Sequence, residues 1–315
     1  MDVSPLTLRP GLVLEGAQLL LAILGAPLLA GWIGVCRSLL SNRSPAGILQ
    51  PWRDLLRLFR KETLLPEGTS FLFRAVPYLV FAALASSTLF IPFLGTDPPL
   101  APVADAVVLV GLFSLARMMM AFGAMDAGTP FGDLGGRREM MVGFLAEPAT
   151  LMILFTASLW SHSTSLPAII HSLLDASDKF HPSLLFALLA FILVFLAENG
   201  RLPIDNPATH LELTMIHEGP LLEYAGRDLA YLQWAASARH WVVLVLACEL
   251  FLPHPASFAG GLLMLVLGLP ALCAALALVE TWQAKMRLLR VPRLLATGGA
   301  LCALGLVAWF AGGRL

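Results

Sequence analysis

The chain is short of charge. Only 13% of its 315 residues are Asp, Glu, Lys or Arg, against about a quarter in a soluble domain. Long apolar runs lie between the few charges, and a bilayer is the solvent that accepts such runs. A large water-soluble core is disfavoured on that ground. The formal net charge is −1, so the overall balance offers nothing to a nucleic acid or an anionic surface. Cysteine is scarce as well. Cys36, Cys248, Cys273 and Cys302 are far apart, and no CxxC or Cys/His metal-site spacing occurs. They read as small buried hydrophobes, and no metal ligation is expected. The first ten residues hold Asp2 and a single Arg9, so a basic n-region is missing. The apolar run that follows therefore reads as a first transmembrane helix. No internal repeat and no matched pair of Gly/Pro-broken half-helices argues for a transporter built from inverted repeats.

What is present, 58% hydrophobic residues, divides into about eight stretches that can each span a bilayer. They cover roughly 12–35, 71–93, 103–123, 139–160, 182–199, 239–253, 258–281 and 294–312. The expected fold is all-α: one polytopic membrane domain over 1–315. The sixth stretch is short and is expected to continue a helix that begins before it. Lys and Arg set the orientation. Fifteen of the 20 lie in the loops 36–70, 124–138, 200–239 and 282–293, and only Arg9, Lys179 and Arg314 lie on the other side. The spacing predicts eight spans in a bacterial or archaeal cytoplasmic membrane, with both termini outside and the large loops cytoplasmic. Between the first two spans, residues 48–60 (ILQPWRDLLRLFR) place Ile48, Leu49, Trp52, Leu55, Leu56 and Phe59 on one helical face. Arg53, Arg57 and Arg60 take the other, as in an interfacial amphipathic helix. A second, weaker amphipathic segment covers about 164–178.

Ionisable groups inside spans are costly and default to a functional reading. The fourth span opens REMMVGFLAEP, with Glu139 and Glu147 eight residues apart and near one helix face. Arg138 is the expected neighbour to neutralise Glu139 at the interface, whereas Glu147 lies two turns deeper. Upstream, a Gly- and Pro-rich loop carries Asp126 and Asp133. The fifth span ends at Glu198, and a segment rich in Asp, Glu and His follows: Asp205, His210, Glu212, His217, Glu218, Glu223 and Asp228. A turn at Leu202–Pro203 and a helix from Asp205 or Asn206 are expected, with Pro207 in the first turn and a break at Gly219–Pro220. Spacing alone does not separate this segment from an ordinary solvated loop. The interleaved apolar residues, and carboxylates at membrane depth, weigh toward function. His210 and His217 are seven apart, which does not support an i, i+4 metal pair. Buried neighbouring carboxylates resist ionising together, so such a cluster can hold and pass protons. Glu15 is expected at the outer interface, Glu280 beside Lys285, and Glu249 either in the same polar axis or snorkelling outward.

The stretches ENGRLPID and ELTMIHEGPLLEYAGRDLA resemble the signature loop of the membrane-anchor subunit of energy-converting, complex I-like NiFe hydrogenases. That protein is homologous to the quinone-cavity subunit of respiratory complex I. NRSPAGILQPWRDLLRLFRKE, MDAGTPFGDLGGRREMMVGFLAEP and ETWQAKMRLLRVPRL resemble the family's other cytoplasmic segments, in order. The MDAGTPF and GPLLEYAG stretches lean toward the formate hydrogenlyase type. The departures, Ser44 for the usual Gly and Ala225 for a common Ser, touch no charged position.

The resemblance implies a non-catalytic subunit that binds no cofactor itself, with no catalytic or metal residues. It would dock partner hydrogenase large and small subunits carrying a NiFe centre and iron–sulfur clusters, beside antiporter-like membrane subunits. The coupling candidates it implies are Asp126, Glu139, Glu147, Glu198, Asp205, Glu212, Glu218 and Glu223. Arg138 and Arg201 would be their counter-charges, and Arg43, Arg53 and Asp54 would support docking. The alternatives are a quinone-cavity subunit of an NADH:quinone oxidoreductase and, behind it, a proton-coupled secondary transporter.

Overall fold

Apolar length decides the elements. A computed structural model describes residues 10–94, 100–175, 181–201, 216–253, 255, 257–283, 286 and 290–311. Its helices are α1 (Pro10–Leu40), α2 (Gln50–Arg60), α3 (Phe71–Ser87), α4 (Ala106–Asp126), α5 (Pro130–Ser158) and α6 (Leu166–Asp175). They continue as α7 (Pro182–Glu198), α8 (Gly226–Phe251), α9 (Phe258–Leu263), α10 (Leu269–Trp282) and α11 (Val291–Ala311). Among the described residues no strand forms, and the only β contact is an isolated bridge between Asp105 and Ser165.

Among the described residues, seven helical stretches are long and apolar enough to cross a membrane, and α7 is a shorter apolar helix beside them. One of the seven, Phe258–Trp282, joins α9 to α10 through a π-helical turn at Met264–Gly268. The chain is an all-α, multi-pass membrane protein, with the expected set of eight apolar helices. The sixth stretch does continue an earlier helix: α8 starts at Gly226.

The largest departure from the sequence expectation is at α5. Hydropathy opens the fourth span at residue 139, yet the helix begins at Pro130. Thr129 caps it, its hydroxyl accepting from the Gly132 N–H at 3.2 Å, and Pro130 fills the first position, where its missing N–H costs nothing. Glu139 is thereby carried more than two turns into a helix and buried.

α4 packs between α3 and α5, α7 between α5 and α11, and α8 against α1, α2 and α3, with α10 along α1. The contact faces are rich in Ala and Gly, which let backbones approach where lipid supplies no hydrophobic drive. The amphipathic α2 buries Leu55 and sets Trp52 and Phe59 against Trp234 and Tyr231 of α8, with ring centroids 5.6 and 5.3 Å apart. Ile48, Leu49 and Leu56 remain exposed, as do Arg53, Arg57 and Arg60. Its apolar face is thus divided between α8 and the surroundings. Pro27 interrupts α1 and cannot donate to the Ile23 carbonyl. The Trp234 indole donates to that carbonyl at 2.9 Å, and Trp52 donates to the next one, Leu24, at 3.1 Å.

Candidate functional site: an arginine among three carboxylates

Midway along α4, in the run FSLARMMMAF, stands Arg117, 3% exposed. Each of its guanidinium nitrogens meets a different carboxylate. Nε donates to Glu139 at 3.3 Å, Nη1 to Glu147 at 2.7 Å and Nη2 to Glu198 at 2.5 Å. Five rigidly forked donors let one arginine serve three acids in this way. The local sequence makes room for it. Glu139, Gly143 and Glu147 are spaced by four along α5 and share a face. A methyl group at Gly143 would stand 2.6 Å from Arg117 Nη1, so the glycine is the floor on which the guanidinium lies.

The loop after α7 supplies a further partner. His217 Nδ1 lies 2.6 Å from Glu139 Oε2, and its Nε2 lies 3.2 Å from the Ala197 carbonyl oxygen. Two close approaches hold the imidazole there. Gly200 takes φ +54 after α7, and the His217 ring occupies the space a side chain would fill. At the Gly219–Pro220 turn, a methyl on Gly135 of α5 would come within 2.8 Å of the Gly219 Cα. Beyond the turn, Tyr224 stacks flat on Phe73, centroids 4.1 Å apart, and donates to the Phe73 carbonyl at 3.4 Å. Burial, with the Asp228 and Asp126 carboxylates nearby, pushes the Tyr224 phenol up from its ordinary range. A cavity of about 70 Å³ adjoins the pair, lined by Glu139, His217 and Arg239 among Leu84, Met120 and Leu232. Arg239 lies within electrostatic reach of both Glu139 and Glu198.

The family model for NADH dehydrogenase matches residues 37–311. The chain belongs to the NADH dehydrogenase family. Within it, the chain is 32% identical over 301 residues to formate hydrogenlyase subunit 4 of Escherichia coli strain K12, covering 93% of this chain and 97% of that one. It is 28% identical to hydrogenase-4 component C of the same organism, with 94% and 95% covered. A subunit of the NADH-quinone oxidoreductase of Koribacter versatilis matches at 28% over 58% of this chain and 45% of its own length. A solved structure of the membrane-bound sulfane sulfur reductase, an archaeal respiratory membrane complex, shares the fold with TM-score 0.81 at 17% identity. It covers 95% of this chain and 100% of its own. The chain is thus a membrane subunit of the complex I-like class.

In this NADH dehydrogenase-family chain, Glu139, Glu147 and Glu198 of the expected coupling residues come together. Their counter-charges differ from those expected. Glu139 meets Arg117 and His217 rather than Arg138, because adjacent helical residues point about 100° apart. Arg201 turns away from the cluster, its Nη1 meeting Glu280 of α10 at 3.2 Å and its Nε donating to His240 Nε2 of α8 at 2.9 Å. Glu280 therefore pairs with Arg201, and more distantly with Arg37 at 4.0 Å. Lys285, its expected partner, lies outside the described residues. Asp126 closes α4 and accepts from the Ser70 N–H and hydroxyl at 2.8 and 2.9 Å, tying α4 to the start of α3. Glu218 precedes the 219–221 turn, and half-buried Glu223 follows it, outside the Arg117 cluster. Asp205, Glu212 and the helix expected from Asp205 lie outside the described residues. Glu15 is buried and accepts from the Leu100 N–H at 2.8 Å, so it ties a loop rather than facing the outer interface. Asp54 bonds within α2, to Gln50 at 2.9 Å and Arg57 at 3.5 Å, while Arg43 and Arg53 stay exposed. Among the described residues no three His, Cys, Asp or Glu side chains gather as a metal site. Sequence reasoning missed Arg117, His217 and Arg239 as members of the site. An arginine in the middle of a span is itself a functional signal, and Glu-x3-Gly-x3-Glu in the next helix marks where such an arginine can rest.

Proposed function

We propose that the chain is the membrane-anchoring and proton-coupling subunit of a complex I-like NiFe hydrogenase of the formate hydrogenlyase type. The observation that carries this reading is the Arg117 cluster: three carboxylates from two helices held on one buried guanidinium. One arginine cannot neutralise three acids, so the site has capacity for a proton at membrane depth. The near full-length likeness to formate hydrogenlyase subunit 4 and hydrogenase-4 component C supports the hydrogenase type. In this reading the arginine-rich loops are cytoplasmic and both termini lie outside. Exposed Arg43 and Arg53 face the docked arm, whose subunits carry the NiFe centre and iron–sulfur clusters, and antiporter-like subunits adjoin in the membrane.

The test is Glu147→Gln in the intact complex. Proton translocation in membrane vesicles should fall by roughly 100-fold, while the chain still copurifies with its partners. Wild-type translocation in that variant would refute the coupling role. A membrane subunit of an NADH:quinone oxidoreductase is the second reading, favoured by the family model and the Koribacter versatilis match. Copurification separates the two: a NiFe large subunit supports the first, an NADH-oxidising module the second.

A further inference from the structure

Around Arg117 the charges do not balance. Among the described residues, Arg117 and Arg239 are set against Glu139 and Glu198, both buried, and the partly exposed Glu147, leaving one carboxylate in surplus. Leaving it uncompensated is expensive, and one bound proton removes the cost. The contacts of His217 show where that proton resides. The Ala197 carbonyl can only accept, so the Nε2 facing it carries a hydrogen in every protonation state. That leaves Nδ1 and Glu139 Oε2 facing each other at 2.6 Å. If the imidazole is neutral, Nδ1 is a bare acceptor, and Glu139 must supply the hydrogen between them. If Glu139 is ionised, Nδ1 must carry it. While the two atoms stand this close the gap holds one proton; its release sets two lone pairs against each other, so the imidazole draws away as the proton leaves.

We infer that the His217–Glu139 pair is the group in this site that takes up and releases the proton, exchanging it with water in the adjoining cavity. The cavity, about 70 Å³, holds several times the volume one water needs. Its polar walls are Glu139, His217 and Arg239, so a water there finds both donors and an acceptor. The other charged and titratable groups around the pair come from the elements packed against it and from its own segment. They are Arg117 on α4, Glu147 on α5, Glu198 on α7 and Arg239 with His240 on α8, with Glu218 beside His217 on its own segment. His240 is held as a neutral ring: its Nδ1 faces the Ala236 carbonyl at 2.8 Å, and its Nε2 accepts from Arg201. His217 differs in standing on a non-helical turn, held at Gly200 and Gly219 rather than within a span.

The inference rests on the proton-coupling reading above, and infrared difference spectroscopy of the purified complex under a pH change tests it separately. In the wild type, the difference spectrum is expected to contain a band, of an imidazolium or of a protonated carboxyl, that is absent from both His217→Gln and Glu139→Gln. Isotope-labelled histidine in the unmutated complex should show an imidazole change accompanying the same titration, which keeps the test valid if either variant fails to assemble. A band that survives both substitutions, or a titration with no histidine change, overturns the assignment. If Glu147→Gln abolishes translocation while the band ignores His217 and Glu139, this inference fails and the coupling reading stands. If the band behaves as expected while Glu147→Gln translocates normally, the reverse holds.

Discussion

Two arginines, Arg117 buried and Arg201 half-buried, answer the same problem in opposite ways. Arg117 has too many acids: three carboxylates within 3.3 Å. Arg201 has too few. Among the described residues its one carboxylate, Glu280, is shared with Arg37, and its other contact is a neutral imidazole that accepts a hydrogen bond. A surplus of carboxylate is relieved by a proton, which arrives and leaves easily. A surplus of guanidinium cannot be relieved by deprotonation near neutral pH, so the second cluster acts as a fixed clamp between α10 and the chain leaving α7. The molecule therefore keeps an exchangeable site and a permanent one on adjoining faces of α8, where Arg239 and His240 are consecutive residues.

The harshest way to break this contrast is Arg117→Met. It leaves two buried acids and the partly exposed Glu147 with their shared cation gone, a loss of about 3–5 kcal/mol by analogy with other buried pairs cut on one side. Thermal denaturation of the complex should show a large drop, or the chain should fail to accumulate; unchanged stability would deny Arg117 its central place. Gly143→Ala comes next. It keeps every charge and removes only the space, so the guanidinium must move, at about 1–3 kcal/mol, and proton translocation should fall with it. Glu280→Gln sharpens the comparison from the other side. Destabilisation of about 1–3 kcal/mol is expected, but translocation by the assembled complex should persist, because the clamp exchanges no proton. Trp234→Phe is the mildest: about 1 kcal/mol for the Ile23 carbonyl left without its donor, read as a small fall in melting temperature.

The membrane spans are legible in the sequence because hydropathy and length obey one rule everywhere along the chain. The carboxylates are legible for the same reason, since Glu139, Glu147 and Glu198 stand out against apolar neighbours. Their partners are not. Arg138 is next to Glu139 in sequence, but helical geometry turns it away; Arg117 is 22 residues away and reaches the same carboxylate by packing of α4 on α5. Arg239 reads in the sequence only as a loop charge marking orientation, because it stands where the apolar run begins and the helix around it starts earlier. His217 fails the test for metal spacing, and its approach to a carboxylate on a helix distant in sequence leaves no spacing to find. The start of α5 is within reach of sequence reasoning, since Thr129–Pro130 is a capping signal, but hydropathy alone places a span where charge ends rather than where the backbone turns helical.

The two indoles bonded to successive carbonyls of α1 give the protein a built-in optical reporter. Trp52 and Trp234, two of its 7 tryptophans, form an edge-on pair at the place where α2 meets α8. Any load on the exposed arginine face of α2 reaches these rings first, and from Trp234 the helix runs without a break to Arg239. Tryptophan emission, with the Trp52→Phe and Trp234→Phe variants to assign it, would register a docking event at the surface of α2 without any added label.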